Sequence, residues 1–305
     1  MTKKIAVLMG GWSAEREVSL VSGAAVAKAL KQAGYSVTSI DVQRDMGSLL
    51  TRLYPRPDVV FNALHGRYGE DGCVQGFLNI LGIPYTHSGL MASAVAMDKA
   101  MAKNVMSAAG LPVADHVIAT RDQVLDGDVM ARPYVVKPNN EGSSVGIHIV
   151  TENSGPILAD GEAWSLGDEV MVEQFIPGRE LTVSVMGDRP LTITEILTDR
   201  SFYDYNAKYA AGGSRHILPA DLPKEIEEAV LDMAVKAHEA IGCRGLSRVD
   251  FRFDESKGVK GLFILEVNTQ PGMTPTSLVP EQAEHVGISF AELVTWMVEK
   301  AQCDA

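Results

Sequence analysis

Leu246-Ser247-Arg248-Val249-Asp250-Phe251-Arg252-Phe253 and, beyond a turn at 254–261, Leu262-Phe263-Ile264-Leu265-Glu266-Val267-Asn268 form the most telling pair of segments in the chain. Strand side chains alternate between faces with a period of two, so Val249, Phe251 and Phe253 share one face while Arg248 and Asp250 share the other. The same alternation puts Phe263, Leu265 and Val267 on one side and Glu266 and Asn268 on the opposite side. If the two strands pair as a hairpin, Asp250, Glu266 and Asn268 converge with Arg248 beside them. Two carboxylates and an amide oxygen are hard donors that suit Mg²⁺ holding nucleotide phosphates. Taken alone, the pattern fits a hairpin with one wet, polar face equally well. The next stretch, Thr269-Gln270-Pro271-Gly272-Met273-Thr274, is a turn whose backbone N–H groups could face an anion.

Working outward, a helix is expected over 224–241, with Ile226, Val230, Met233 and Ala237 on one face and Gly242 as its stop. Before it lies an aromatic and glycine-bearing stretch at 202–215, too polar for core. Strands are expected at 181–186, 169–175, 145–150 and 134–137, and a helix at 98–109 stopped by Gly110 and Pro112. Lys137 ends the apolar run Tyr134-Val135-Val136, where a lysine is costly to bury unless an anion meets it. The loop Pro138-Asn139-Asn140-Glu141-Gly142-Ser143-Ser144 follows and could close N–H and hydroxyl groups over phosphates. No G-x-x-x-x-G-K-[ST] motif occurs. A lysine snorkelling from a strand end is the plain alternative. Glu173 closes another apolar strand, whose end could serve an adenine edge, and Glu180 could accept ribose hydroxyls. Both also read as surface glutamates.

From 1 to about 97 strands and helices alternate, with strands at 5–9, 37–41, 58–64 and 82–85, as in a parallel sheet covered by helices. Ligands of such sheets sit beyond the carboxyl ends of the strands. Those ends carry Gly10-Gly11-Trp12-Ser13-Ala14-Glu15 and Leu64-His65-Gly66. Glu15 suits an ammonium-binding carboxylate, although the helix dipole alone favours an acid there. His65 fits either a ligand or a hydrogen-bonded packing role.

The 305 residues suit two or three compact units, and 46% hydrophobic with 22% charged residues is a globular balance. A formal charge of −12 argues against a nucleic-acid binder, which needs a basic face. Cys73, Cys243 and Cys303 are scattered without metal or disulfide spacing, which points to a reducing compartment. The opening Met1–Met9 run has basic residues before apolar ones but is too short for a signal peptide and reads as a first buried strand. No stretch is long enough to span a membrane. A cytoplasmic protein is expected.

These pieces, in this order, resemble the D-alanine–D-alanine ligase family of the ATP-grasp superfamily over essentially the whole chain. The resemblance rests on Gly10-Gly11-Trp12-Ser13-Ala14-Glu15-Arg16-Glu17-Val18-Ser19, Ala63-Leu64-His65-Gly66 with Gly69-Glu70-Asp71-Gly72, and Met97-Asp98-Lys99. It continues in Val136-Lys137-Pro138, Glu141-Gly142-Ser143-Ser144-Val145-Gly146, Phe202-Tyr203-Asp204-Tyr205-Asn206-Ala207-Lys208-Tyr209 and Glu266 through Thr274. Any one of these could arise by chance; the ordered set is specific.

The resemblance implies an α/β protein of three domains: a Rossmann-like unit (1–97), a central ATP-grasp unit (98–175) and a C-terminal unit (176–305) with the metal site and a lid. By that likeness Lys99, Lys137 and Lys208 hold ATP phosphates. Glu173, with Phe175 and Ile176, meets the adenine, and Glu180 the ribose. Asp250, Glu266 and Asn268 would bind two Mg²⁺ (or Mn²⁺) ions. Glu15 would hold the ammonium of the first D-alanine, with His65 nearby, and Glu15, Ser143 and Tyr209 would tie mobile loops together. Arg248 and the Gly272 N–H would form an oxyanion hole, and Ser277 with the Leu278 N–H would take the second substrate's carboxylate. The implied partners are ATP and D-alanine, with a homodimer as the assembly and peptidoglycan precursor synthesis as the setting. Tyr209 favours the dipeptide over a D-alanine–D-lactate product, and a nucleotide-binding module would not need an oxyanion hole. Two departures stand out: Tyr68 and His87 occupy positions where relatives often carry glycine.

Overall fold

Strand β1 (Lys4–Gly10) is buried from Ile5 to Gly10 and lies at the centre of a parallel sheet. Its neighbours are β2 (Ser36–Val42) and β3 (Val59–Asn62), reached through helices α1 (Arg16–Gln32) and α2 (Met46–Arg52). This computed structural model describes residues 2–140, 146–155, 166–198 and 215–304. Helix α1 lies close on β1 because it carries Gly23 there. A Cβ on that residue would come within 2.5 Å of the Met9 Cβ. The expected fourth strand at 82–85 does not form. Only Tyr85 bridges Val60, because Gly82 is the left-handed cap of α3 (Cys73–Leu81) and Pro84 has no N–H to donate. Tyr68 and His87 keep the left-handed backbone that glycine takes freely, with φ of 65° and 69°.

Helices α4 (Leu90–Met97) and α5 (Lys99–Ala108) lead into a second, antiparallel sheet. It is built from β4 (His116–Thr120), β5 (Tyr134–Pro138), β6 (His148–Val150) and β7 (Glu169–Gln174), in the order β4-β7-β5-β6. Helix α6 (Arg121–Asp126) starts on a capping box formed by Thr120 and Gln123. The apolar face of α5, with Ala102 and Met106 buried, turns towards the third sheet rather than the second.

That third sheet runs β10-β9-β8-β11-β12 and is antiparallel throughout. Its strands are β8 (Arg179–Met186), β9 (Arg189–Leu197), β10 (Arg215–Ile217), β11 (Leu246–Phe253) and β12 (Leu262–Asn268). One face packs on α7 (Lys224–Ile241), whose Ile226, Val230, Ala234, Ala237 and Ile241 meet Leu181, Val183, Val249 and Phe251. The residues between β11 and β12 wind as a 3-10 turn at Glu255–Gly261.

The hairpin expected from the sequence is present, with one correction. Asp250 pairs with Glu266 but Phe251 pairs with Ile264, so Leu265 is an extra residue in a β-bulge. The core-facing residues of β12 are therefore Leu262, Ile264 and Val267, not Phe263, Leu265 and Val267. The bulge lies before Glu266, so Glu266 and Asn268 still face away from the core.

Two C-terminal helices, α8 (Leu278–His285) and α9 (Phe290–Glu299), return to the first sheet. Leu293, Val294 and Met297 fill the same core as Ile5, Val7, Val26 and Leu30. Gln282 of α8 is fully buried. Its amide accepts from the Ser184 N–H at 2.8 Å and donates to the Thr194 hydroxyl at 3.0 Å and the Thr182 carbonyl at 3.1 Å, which fixes α8 against the polar face of the third sheet. The closeness of α1 to β1 gives a test. Gly23→Val should lower stability by about 1–3 kcal/mol through overpacking against Met9, read as a drop in the denaturant midpoint. An unchanged midpoint would show that the helix can move away at no cost.

Candidate active site

The polar face of the third sheet brings together the four residues expected to converge on the hairpin. Arg248 lies directly opposite Asn268, and Asp250 directly opposite Glu266, as successive cross-strand pairs of β11 and β12. Arg248 grips Asp250 with two parallel hydrogen bonds, Nε to Oδ1 at 2.8 Å and Nη2 to Oδ2 at 2.7 Å. Thr182 on β8 donates to the same Asp250 Oδ1 at 2.6 Å. The sequence reading did not single Thr182 out, although its place on the strand beside β11 was open to the same alternation rule. Directly opposed carboxylates repel across a strand pair. Lys99, at the start of α5, approaches Glu266 Oε2 at 3.7 Å from the other side. Among the described residues no group of three His, Cys, Asp or Glu side chains forms a metal cage. The donor set of Asp250, Glu266 and Asn268, two acids and an amide, still fits a hard divalent cation such as Mg²⁺ or Mn²⁺.

A second cluster joins the second sheet to α5. Glu173 is held between two lysines: Lys137 bonds to Oε1, and Lys103 Nζ stands 3.0 Å from Oε2, too poorly aligned for a hydrogen bond. Lys103 is fully buried and also donates to the Ile264 carbonyl on β12 at 3.3 Å. Burial works to raise the Glu173 carboxyl, but Lys137 and Lys103 outweigh it and hold it down at about 2. Burial pulls Lys103 below the usual lysine range despite Glu173. The anion that Lys137 needed is thus supplied, within the chain, by Glu173. Lys103 was missed because a lysine one helical turn from Lys99 looks like a solvated helix face. The asparagine after Lys137-Pro138 completes the junction: Asn139 accepts from the Lys99 and Ala100 N–H groups at 3.2 and 2.9 Å, through its carbonyl and side chain.

Along the edge of this junction run Phe175, Ile176 and Glu180. Arg252 gathers them: it donates to the Ile176 and Gly178 carbonyls at 3.1 and 2.8 Å, stands 3.5 Å from Glu180 and lies 5.9 Å from the Phe175 ring centre. Gly178 must be glycine, since a Cβ would fall 2.1 Å from the Phe253 carbonyl.

The first sheet supplies the third part. Glu15 is the N-cap residue of α1, and its side chain does not cap the helix. The Ser13 hydroxyl donates to the His65 carbonyl at 2.7 Å, joining the two loops at the strand ends. Gly66 stands where they cross, with φ of 68°, and a Cβ there would lie 3.0 Å from Glu15 Oε2. The Gly66 N–H donates to Glu70 at 3.0 Å. Burial first, and then the charge of Glu15, push the Glu70 carboxyl up to about 8. Burial lowers the basicity of His65, against the pull of Glu15.

Gln270 connects this part to the metal-type cluster. Its N–H donates to Asn268 Oδ1 at 2.8 Å, its amide N–H to the Leu64 carbonyl, and its Oε1 accepts from Asn62 at 2.8 Å. Gly272 and Ser277 also come together, since a Cβ on Gly272 would sit 2.9 Å from the Ser277 hydroxyl. That hydroxyl accepts from the Thr274 N–H at 3.0 Å and does not cap α8, which leaves the first N–H groups of the helix, beginning at Leu278, without a side-chain cap. Ser143, Lys208 and Tyr209 lie outside the described residues.

Two antiparallel sheets meeting along lysines from one side and carboxylates from the other, with a parallel-sheet unit closing the third side, define an ATP-grasp enzyme. Family models for the N-terminus and the C-terminus of D-Ala–D-Ala ligase match residues 4–56 with 49–88, and 105–299. The D-alanine–D-alanine ligase of Rhodospirillum rubrum is 60% identical over 306 residues, covering 100% of both chains. That of Cereibacter sphaeroides is 60% identical over 303 residues, covering 99% of this chain and 96% of its own. Among solved structures, the Bacillus anthracis D-alanine–D-alanine ligase complexed with ATP superimposes with a TM-score of 0.82 at 32% identity, over 98% of this chain and 97% of that one. The VanG D-Ala:D-Ser ligase of Enterococcus faecalis gives 0.80 at 30% identity, over 98% and 99%. The chain belongs to the D-alanine–D-alanine ligase family.

The lysine-flanked glutamate makes a stability prediction. Removing its charge strands two buried cations, so Glu173→Gln should cost about 3–5 kcal/mol at neutral pH. The folded carboxyl titrates below its usual 4.5, so its contribution is complete above that value and disappears as pH falls towards about 2. The stability gap between wild type and variant, from denaturant melts, should therefore narrow across that interval. A gap independent of pH there would show that Glu173 is not the ionised partner.

Proposed function

We propose that this chain uses ATP to join two D-alanine molecules into D-alanyl-D-alanine, releasing ADP and phosphate. The observation that carries the reading is the double cross-strand pair, Asp250 opposite Glu266 and Arg248 opposite Asn268, with Lys99 closing on Glu266. The names of its full-length relatives supply the substrate. In the first step the carboxylate of one D-alanine attacks the γ-phosphorus of ATP, giving an acyl phosphate and ADP. Both reactants are anionic, so Lys99, Lys137 and Lys208 oppose their repulsion. Two divalent cations held by Asp250, Glu266 and Asn268 would add charge neutralisation at the phosphates. Glu173, Phe175, Ile176 and Glu180 border the nucleotide. Glu15 takes the ammonium of the first D-alanine, beside His65.

In the second step the amine of the other D-alanine attacks the acyl carbon, loses a proton, and phosphate leaves. Arg248 and the Gly272 N–H face the tetrahedral oxyanion, and donors of this kind are worth about 3–4 kcal/mol each. Ser277 and the Leu278 N–H hold the incoming carboxylate. An acyl phosphate hydrolyses in water, and the assigned roles of Ser143 and Tyr209, with Glu15, are to keep the site closed while it waits. The work belongs to peptidoglycan precursor synthesis in the cytoplasm, by a homodimer. Exposed Ile80 and Met91 on the adjoining helices α3 and α4 suit an apolar contact with a second copy. No helix among the described residues is long and apolar enough to cross a membrane.

Phosphate release from Mg-ATP, with D-alanine, L-alanine, or D-alanine plus D-serine or D-lactate, tests the reading when products are identified by mass. D-alanine alone should support turnover and yield the dipeptide; turnover with L-alanine, or none with any amino acid, would refute the substrate assignment. Arg248→Lys, which loses the planar fork, should lower kcat by about 100–1000-fold with ATP binding retained. Glu266→Gln should raise the Mg²⁺ concentration needed for half-maximal turnover, and an unchanged requirement would remove Glu266 from the metal set.

A further inference from the structure

A second cavity, of about 300 Å³, opens beyond the carboxyl ends of the parallel strands. Gly11 after β1, Arg44 after β2, and Leu64 and His65 after β3 all line it. This crevice is where open parallel sheets bind their ligands. Lys99, Lys137, Asp250, Glu266 and Asn268 take no part in lining it, and His65 is its common wall with the proposed first-substrate pocket.

Three features give the cavity a chemical character. Its interior is apolar, with Val42, Leu49 and Val74 all buried. Trp12, Tyr68 and Phe77 bring aromatic rings to its lining, and the rings of Trp12 and Tyr68 have centres 5.4 Å apart, tilted by 36°. Two more lining residues are exposed arginines, Arg44 and Arg67, and among the described residues no carboxylate lies within ion-pair distance of either. Unpaired arginines beside an apolar cavity, in a chain of net charge −12, are placed to receive an anion.

Tyr68 is the most informative residue. Its φ of 65° is a conformation that glycine adopts freely and a tyrosine adopts only at a cost. Glycine would serve the turn itself better. What tyrosine adds is a ring, 39% exposed, beside Trp12 at the cavity. Strain of this kind is retained where a side chain is used.

We infer that this crevice is a second small-molecule site, which takes a flat apolar carboxylate, its rings against Trp12 and Tyr68 and its charge against Arg44 and Arg67. A volume of about 300 Å³ lies at the small end of ligand pockets, so a one- or two-ring acid is the right size. Stacking on the rings supplies most of the contact, and the arginines select the acid over its neutral analogue. Because Trp12 lies in the loop that leads to Glu15, the occupant touches the wall of the reaction site without entering it.

Saturation-transfer NMR on the full chain, with naphthylacetate and its neutral analogue naphthylacetamide, tests this. The acid should bind saturably at about 1 mM or below, and the amide roughly tenfold more weakly. Binding should persist when Mg-ADP and D-alanyl-D-alanine are both present in excess. Tyr68→Gly relieves the backbone and should fold at least as well, yet weaken the acid by roughly tenfold. The double variant Arg44→Gln with Arg67→Gln should bind acid and amide alike. D-alanine-dependent turnover without probe should be unchanged in both variants. No saturable binding up to about 10 mM, equal binding by wild type and both variants, or displacement by the dipeptide would overturn the inference.

Discussion

Asp250 and Glu266 face each other across one strand pair, two carboxylates in register. Such a pair is unfavourable unless cations attend it, and the surrounding structure brings them. Arg248 comes from the same strand two residues away, Lys99 from the start of α5, and the polar edge of β8 adds a hydroxyl. The bulge at Leu265 lets β12 keep Ile264 and Val267 in the core while Glu266 and Asn268 stay on the polar side. Stability and chemistry therefore use opposite faces of the same two strands.

The first and third sheets share an apolar cluster in which Leu246 of β11 joins Ile5, Val7 and Phe61, and a small number of buried polar links add directional ties among the three sheets. Lys103 reaches from α5 to Glu173 on the second sheet and to the Ile264 carbonyl on the third. Gln270 joins the end of β12 to Asn62 and Leu64 of the first sheet. Gln282 fixes α8, which begins at the proposed carboxylate-binding Ser277, to β8 and β9. Each is costly to bury unpaired and favourable when satisfied, so each tolerates only one arrangement of its neighbours. That geometric strictness suits a site that must bring ATP and two amino acids within reach of one another.

Much of this was legible in the residues. The hairpin, helix α7 and the convergence of Arg248, Asp250, Glu266 and Asn268 follow from alternation, helical spacing and a stopping glycine. The bulge was not legible, because one inserted residue leaves the apolar count of β12 unchanged and shows only in the pairing. The strand expected at 82–85 shrank to a single bridge, since its run is short and contains a glycine and a proline. Helix α9 was passed over although Ser289 and Glu292 form a capping box whose spacing is visible in the sequence. Lys103, Gln270 and Gln282 could not be found by local rules: their burial is set by residues far away along the chain, and polar side chains on helices and turns ordinarily face water.

The acyl phosphate is the centre of the account, and oxygen tracing addresses it directly. D-Alanine labelled with oxygen-18 in its carboxylate, incubated with Mg-ATP and this protein, should give phosphate carrying one labelled oxygen per dipeptide formed, because the carboxylate oxygen that attacks phosphorus leaves with the phosphoryl group. Phosphate free of label while labelled dipeptide accumulates would contradict phosphorylation of the carboxylate, and with it the roles given to the residues around Asp250 and Glu266.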